Sequence, residues 1–132
     1  MRVTKFTPAL VIALAMIVGL AIGSIGEALH AQAKTPVYMI GNVEVTNQEG
    51  YAKEYLPPEK KSIVDHGGVY IAAGKGYPIT GEPPKGRLVI LCWESMDALM
   101  AWINSPDHQA AHKIGEKYAK FNMWAVDGVQ PR

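Results

Sequence analysis

The nine residues Val37–Val45, VYMIGNVEV, alternate with a period of two and are rich in β-branched side chains, which is the pattern of a strand. A lone strand exposes a row of unpaired amides and carbonyls, so this segment commits the chain to a sheet with partner strands elsewhere. Its odd positions Val37, Met39, Val43 and Val45 are apolar, whereas Tyr38, Ile40, Asn42 and Glu44 are mixed. One face of the sheet should be buried, and the second should line something partly polar.

The partners follow in order. Asn47 is placed to cap a helix through Tyr51 and Tyr55, which lie one turn apart. Pro57-Pro58 is expected to break or kink it. A second helical segment then starts with Pro58 in its first turn and ends at His66-Gly67-Gly68. Val69–Ala73 reads as a short strand, Gly74–Gly86 as a Gly/Pro loop, and Arg87–Glu94 (RLVILCWE) as a third strand. Ser95 caps a helix whose apolar stripe is Met96, Leu99, Met100 and Ile103. That helix pauses at Asn104-Ser105 and restarts with Ser105 as cap, Pro106 at the first position and Asp107 beside the positive end of the dipole. Phe121–Val129 (FNMWAVDGV) is the last strand. The order is βαββαβ, the ferredoxin-like α+β arrangement, with an antiparallel sheet carrying both helices on one face. With Trp93, Trp124 and several aliphatics divided between the faces, the bare side is expected to meet a second copy, giving a homodimer.

The N-terminus stands apart from this pattern. Arg2 and Lys5 precede an uncharged run, Ala9–Gly23, and a small-x-small site follows at Ala31-Gln32-Ala33. This is the order of a secretory signal peptide cleaved after Ala33, with an uncleaved anchor in the inner membrane as the alternative. The domain would then be Lys34–Arg132, periplasmic or secreted. Its 99 residues suit one small domain, and 11 basic residues balance 11 acidic ones. No basic run is interleaved with aromatics, so nucleic acid is not an expected partner. Cys92 is the single cysteine, which excludes an internal disulfide and favours a buried, inert thiol.

The stretch WINSPDHQAAHK (Trp102–Lys113) places His108 and His112 four residues apart. On a helical wheel Ala111, Ile114, Gly115 and Tyr118 form the buried stripe, with His108 about 70° and His112 about 110° from its centre. Both would sit at the rim. The plain expectation is two polar rim residues. As a pair they could share a metal, but Asp107, the nearest third donor, points elsewhere, and no metal is expected.

The runs HGGVYIAAGKG and EPPKGRLVILCWESMDALMAWINSPDHQAA resemble the bacterial family called domain of unknown function 1330, over Tyr38–Val129. Its GG-x-Y element and its R-x-V-I…S-M-x-A-x-x-A-W-x-x-S-P-x-x-Q pattern are both present. The resemblance implies the dimeric α+β barrel superfamily, which includes the antibiotic-biosynthesis monooxygenases, and a small-molecule pocket between sheet and helices. The chain departs from the family where His108 stands for a usual tyrosine, where Gly115 stands for a basic residue, and at His112. Trp102, Ser105 and Ala110-Ala111-His112-Lys113 are also similar to a helix of the superfamily's haem-degrading monooxygenases, and Asn42 matches their first-strand asparagine. That second resemblance implies His112 as an axial ligand of a haem, Trp102 pressing on the ring, and Asn42 near the iron-bound oxygen.

Tyr55, His66 and Arg87 make a further set for acid/base work and anion binding, and with His108 they are the candidate substrate-binding residues. Against it, His66 suits a helix C-terminus through the dipole alone, and Arg87 opens a strand where a solvent-facing role is simpler. The function expected is small-molecule binding, with haem or monooxygenase-like chemistry as its sharper form and enzymatic turnover undecided. The alternative is a non-catalytic dimeric module with no cofactor.

Overall fold

A computed structural model describes residues 35–129. The leader expected over residues 1–33 lies outside them. The elements are β1 (Val37–Val45), α1 (Gln48–Gly50), a π-helical turn (Tyr51–Tyr55), α2 (Leu56–Asp65), β2 (Val69–Lys75), β3 (Arg87–Trp93), α3 (Met96–Ile103), α4 (Pro106–Gly115) and β4 (Ala119–Asp127). The four strands form one antiparallel sheet in the order β2-β3-β1-β4, the ferredoxin-like topology that the order of elements implied. The last strand starts and ends two residues earlier than expected, because Ala119 and Lys120 extend the pairing with Val45 and Glu44. Among the described residues no helix is long and apolar enough to cross a membrane.

Caps locate the helix starts. The Gly50 amide donates to Asn47 Oδ1 at 3.0 Å, the Ala98 amide to Ser95 Oγ at 3.2 Å and the His108 amide to Ser105 Oγ at 3.4 Å. Of the break or kink expected at Pro57-Pro58, the break does not occur. Gly50, Tyr51, Tyr55 and Leu56 all hold right-handed helical backbone, so α1, the π turn and α2 follow one another without a break. The two prolines remove the donors for the Lys53 and Glu54 carbonyls. The chain widens one turn just before them, where the Leu56 amide reaches back to the Tyr51 carbonyl, and so enters α2 with the prolines in its first turn.

Packing divides in two. At one end Val37, Met39, Ile63, Leu91, Trp93, Leu99 and Trp102 form a cluster, with Trp93 and Trp102 stacked at 5.0 Å. At the other, Val43, Tyr51, Tyr55 and Ala119 form a second. Val89 packs against both. Its partner across the strands is Gly41, the one inward position of β1 with no side chain. A Cβ placed there meets nothing closer than 3.8 Å, so the two clusters fail to close over the middle of the sheet. The site begins in that gap.

Candidate functional site

A cavity of about 460 Å³ lies between the first helix and the inner face of the sheet. Its size falls within the usual range for small-molecule pockets. The floor is Met39, Gly41 and Val43 of β1, Val89 and Leu91 of β3, and Phe121 and Met123 of β4, all on the inward phase of their strands. The roof is the first helix, through Tyr51, Tyr55, Glu59 and Ile63. The wall is mainly apolar, and its polar groups are few: the Tyr51, Tyr55 and Tyr70 hydroxyls, Glu59, Lys60 and Arg87.

Glu59 is the least expected of these, only 5% exposed on a helix face otherwise given to Tyr51, Tyr55 and Ile63. Its carboxylate oxygens lie 3.2 and 3.3 Å from Nδ1 of His108, itself 3% exposed. A carboxylate can only accept, so this contact fixes the hydrogen on Nδ1. The Tyr55 hydroxyl also donates to Glu59. The His108 ring lies 4.0 Å from that of Trp102, whose indole N–H donates to Ser62 Oγ at 2.9 Å, and Ser62 in turn donates to the Glu59 carbonyl. A buried acid needs such partners, because an unpaired carboxylate in apolar surroundings is strongly unfavourable. Burial pushes the Tyr55 phenol far above its ordinary range, with the Glu59 charge adding to the effect. It pushes Tyr70 up to about 12 and raises Tyr51, where the Arg87 guanidinium works in the opposite direction.

Arg87 lies at the opposite margin. It is half-buried, and its Nε is buried with no hydrogen-bond partner among the described residues. The solvent-facing role suggested by its place at a strand start does not describe it.

The residues singled out from the sequence separate into groups. Tyr55 and Arg87 both line the cavity. His108 does not sit at a rim: it is buried behind the cavity wall and reaches it only through Glu59. His66 ends α2 away from the cavity, its Nδ1 2.8 Å from the Ser62 carbonyl and 3.5 Å from Asp107. Asn42, Trp102 and His112 do not converge. Asn42 is on the outward phase of β1 and accepts the Gly86 amide at 3.0 Å, which ties the end of the Gly/Pro loop to the strand. Trp102 is 0% exposed within the first core cluster. His112 packs at 5.0 Å on Phe121, an inward residue of β4, so it and Asn42 lie on opposite sides of the sheet. Its Nδ1 is buried with no hydrogen-bond partner among the described residues, and its Nε2 lies 3.6 Å from Glu116. Among the described residues these three are not brought to one wall, and none of them lines the cavity above, so their arrangement does not fit a haem. Among the described residues no group of three or more His, Cys, Asp or Glu side chains could hold a metal ion.

Glu59, Tyr51, Tyr70 and Gly41 were not singled out from the sequence. The available signal was the spacing of Tyr51, Tyr55, Glu59 and Ile63, which sets an acid on an apolar helical stripe.

Comparison with known proteins agrees with this architecture. Residues 36–129 match the model of the family described as Domain of unknown function (DUF1330). No curated protein matches the chain. Among solved structures, a protein of unknown function from Rhodopseudomonas palustris is similar at 15% identity and a TM-score of 0.59, covering 83% of this chain and 94% of its own. SnoaB, a cofactor-independent oxygenase from Streptomyces nogalater, is similar at 9% identity and a TM-score of 0.55, covering 74% of this chain and 96% of its own. At these identities the likeness is one of fold.

Proposed function

The chain belongs to the Domain of unknown function (DUF1330) family, and from that premise we propose that it is a small-molecule-binding protein whose ligand occupies the cavity under the first helix. The observation that carries this is the gap between the two core clusters, opened by Gly41 opposite Val89 and bordered by a few convergent polar groups. A well-packed interior has few voids larger than a water molecule, and a cavity of this size beside a buried Glu59–His108 pair fits a ligand better than a packing fault. Gly41→Leu supplies the test, because its Cβ would make only ordinary van der Waals contact, 3.8 Å from the Val89 carbonyl oxygen, and the rest of the side chain would extend from the cavity floor. The neutral fluorophore aminoanthracene should bind the purified protein saturably, and the substitution should abolish binding while the fold is retained. Equal binding by both proteins would refute the assignment and favour the non-catalytic module.

Turnover is a second reading, with one observation in its favour. Glu59 borders the cavity with His108 behind it, so a proton taken from a bound phenol or acidic carbon would arrive beside a titratable imidazole. Oxygenation without a cofactor at this site would use Glu59 to accept that proton, with the deprotonated ligand supplying the electrons to dioxygen. Ligand-dependent oxygen consumption that Glu59→Gln abolishes would support it; binding with no consumption would exclude it.

The chain is further proposed to act outside the cytoplasm after cleavage at Ala33, which N-terminal sequencing of the mature protein would test against a start at Met1. It is also proposed to pair with a second copy through the helix-free face of the sheet. There Trp124 and Val126 are 56% and 50% exposed, beside Tyr38 and Ile40 on the neighbouring strand. In such a symmetric pair each copy would offer the same patch.

A further inference from the structure

We propose that the cavity ligand is a small organic anion with an apolar body, a monocarboxylate, whose head is held by Arg87 with Lys75 beside it. This rests on the cavity being the ligand site and specifies what enters it.

The cations at the margin point to an anion. Arg87 and Lys75 are direct partners across β3 and β2, so their side chains leave the same face of the sheet side by side. Like charges set opposite each other in a sheet repel, an arrangement that an interposed anion would relieve. Among the described residues neither cation forms an ion pair, and the Arg87 Nε is buried with no partner. Lys60 adds a third positive charge to the cavity's edge.

The acid in the same wall does not answer them. Both oxygens of Glu59 are taken up by His108 Nδ1, and the Tyr55 hydroxyl donates to the same carboxylate. Its charge is thus partnered within the protein by His108, whereas Arg87 carries a buried donor with no partner among the described residues. A guanidinium offers a planar fork matched to a carboxylate, and the buried Arg87 Nε is one of its donors. The stretch of wall from Val43 and Val89 through Leu91 to Ile63 makes only apolar contacts and suits an alkyl or aryl body.

Octanoate and octanol, alike in chain and different in head, test this by displacing bound aminoanthracene. Octanoate should displace it at a concentration about tenfold or more below that of octanol, the scale of a hydrogen bond to a charged group. Arg87→Met should bring octanoate to the level of octanol and leave octanol unchanged. Arg87→Lys, which keeps the charge without the fork, should retain part of the preference. Equal displacement by the two in the unsubstituted protein, or a preference that survives Arg87→Met, would overturn the proposal. Failure of the ligand site itself would look different: aminoanthracene would not bind, or would bind Gly41→Leu as well.

Discussion

At the scale of the residue, Glu59 shows what a sequence conceals. In PPEKK an acid just after two prolines looks like an ordinary first-turn residue favoured by the helix dipole, and nothing local says that it is buried. Its environment is set by His108, 49 residues away. The same pairing explains why His108 was misplaced: its angle on the wheel put it at the rim, and only the facing helix carries it inside. Tyr55 and Arg87 were legible as candidates because their chemistry suits a pocket, although not which way Arg87 would turn. His108→Ala removes the partner of a buried carboxylate and should cost about 3–5 kcal/mol. Urea denaturation would show it, and a loss below about 1 kcal/mol would mean that the pair matters little. The tyrosines set an alkaline limit. Tyr55 and Tyr70 hold their protons above the ordinary value of 10.0, Tyr70 to about 12. Between those values the folded chain binds protons that the unfolded chain has released. Their contribution to stability is complete below pH 10 and is lost as pH rises through the folded values. Denaturation midpoints should fall steadily above pH 10; a flat profile to pH 12 would contradict this.

At the scale of the element, strand alternation and caps were readable because they depend on neighbours in sequence. Asn47, Ser95 and Ser105 all cap where their residue types predict. The continuity across Pro57-Pro58 was not readable, since two prolines commonly end a helix and the π turn that absorbs them leaves no composition signal. That wide turn lies at Tyr51–Tyr55 and carries two of the cavity's phenols. Its seating depends on α4, where Gly115 lets the Tyr55 ring approach: a Cβ there would lie 2.7 Å from Tyr55 and 2.9 Å from Phe121. Gly115→Ala should therefore destabilise by about 1–3 kcal/mol through overpacking, despite the better helix propensity of alanine. A thermal midpoint at or above that of the unsubstituted protein would show that the ring gives way freely.

At the scale of the whole molecule, the order of elements was enough for the ferredoxin-like sheet, because six segments in βαββαβ order with short connections leave few topologies. The cavity was not foreseeable in the same way, as it arises where two clusters fail to meet over Gly41. The helix-free face was foreseen as bare and as meeting a second copy, and in the single chain it leaves Trp124 more than half exposed. Light scattering should give twice the monomer mass, and Trp124→Glu should return the monomer. A monomeric unsubstituted protein would remove the proposed pairing. The cavity is tested most directly by methyl resonances of the protein titrated with octanoate. Shifts should concentrate on Val43, Ile63, Val89 and Leu91, which line it. Shifts instead at Ile40, Ile90 and Val126, on the outward phase of the same strands, would place the ligand on the other face and contradict the site.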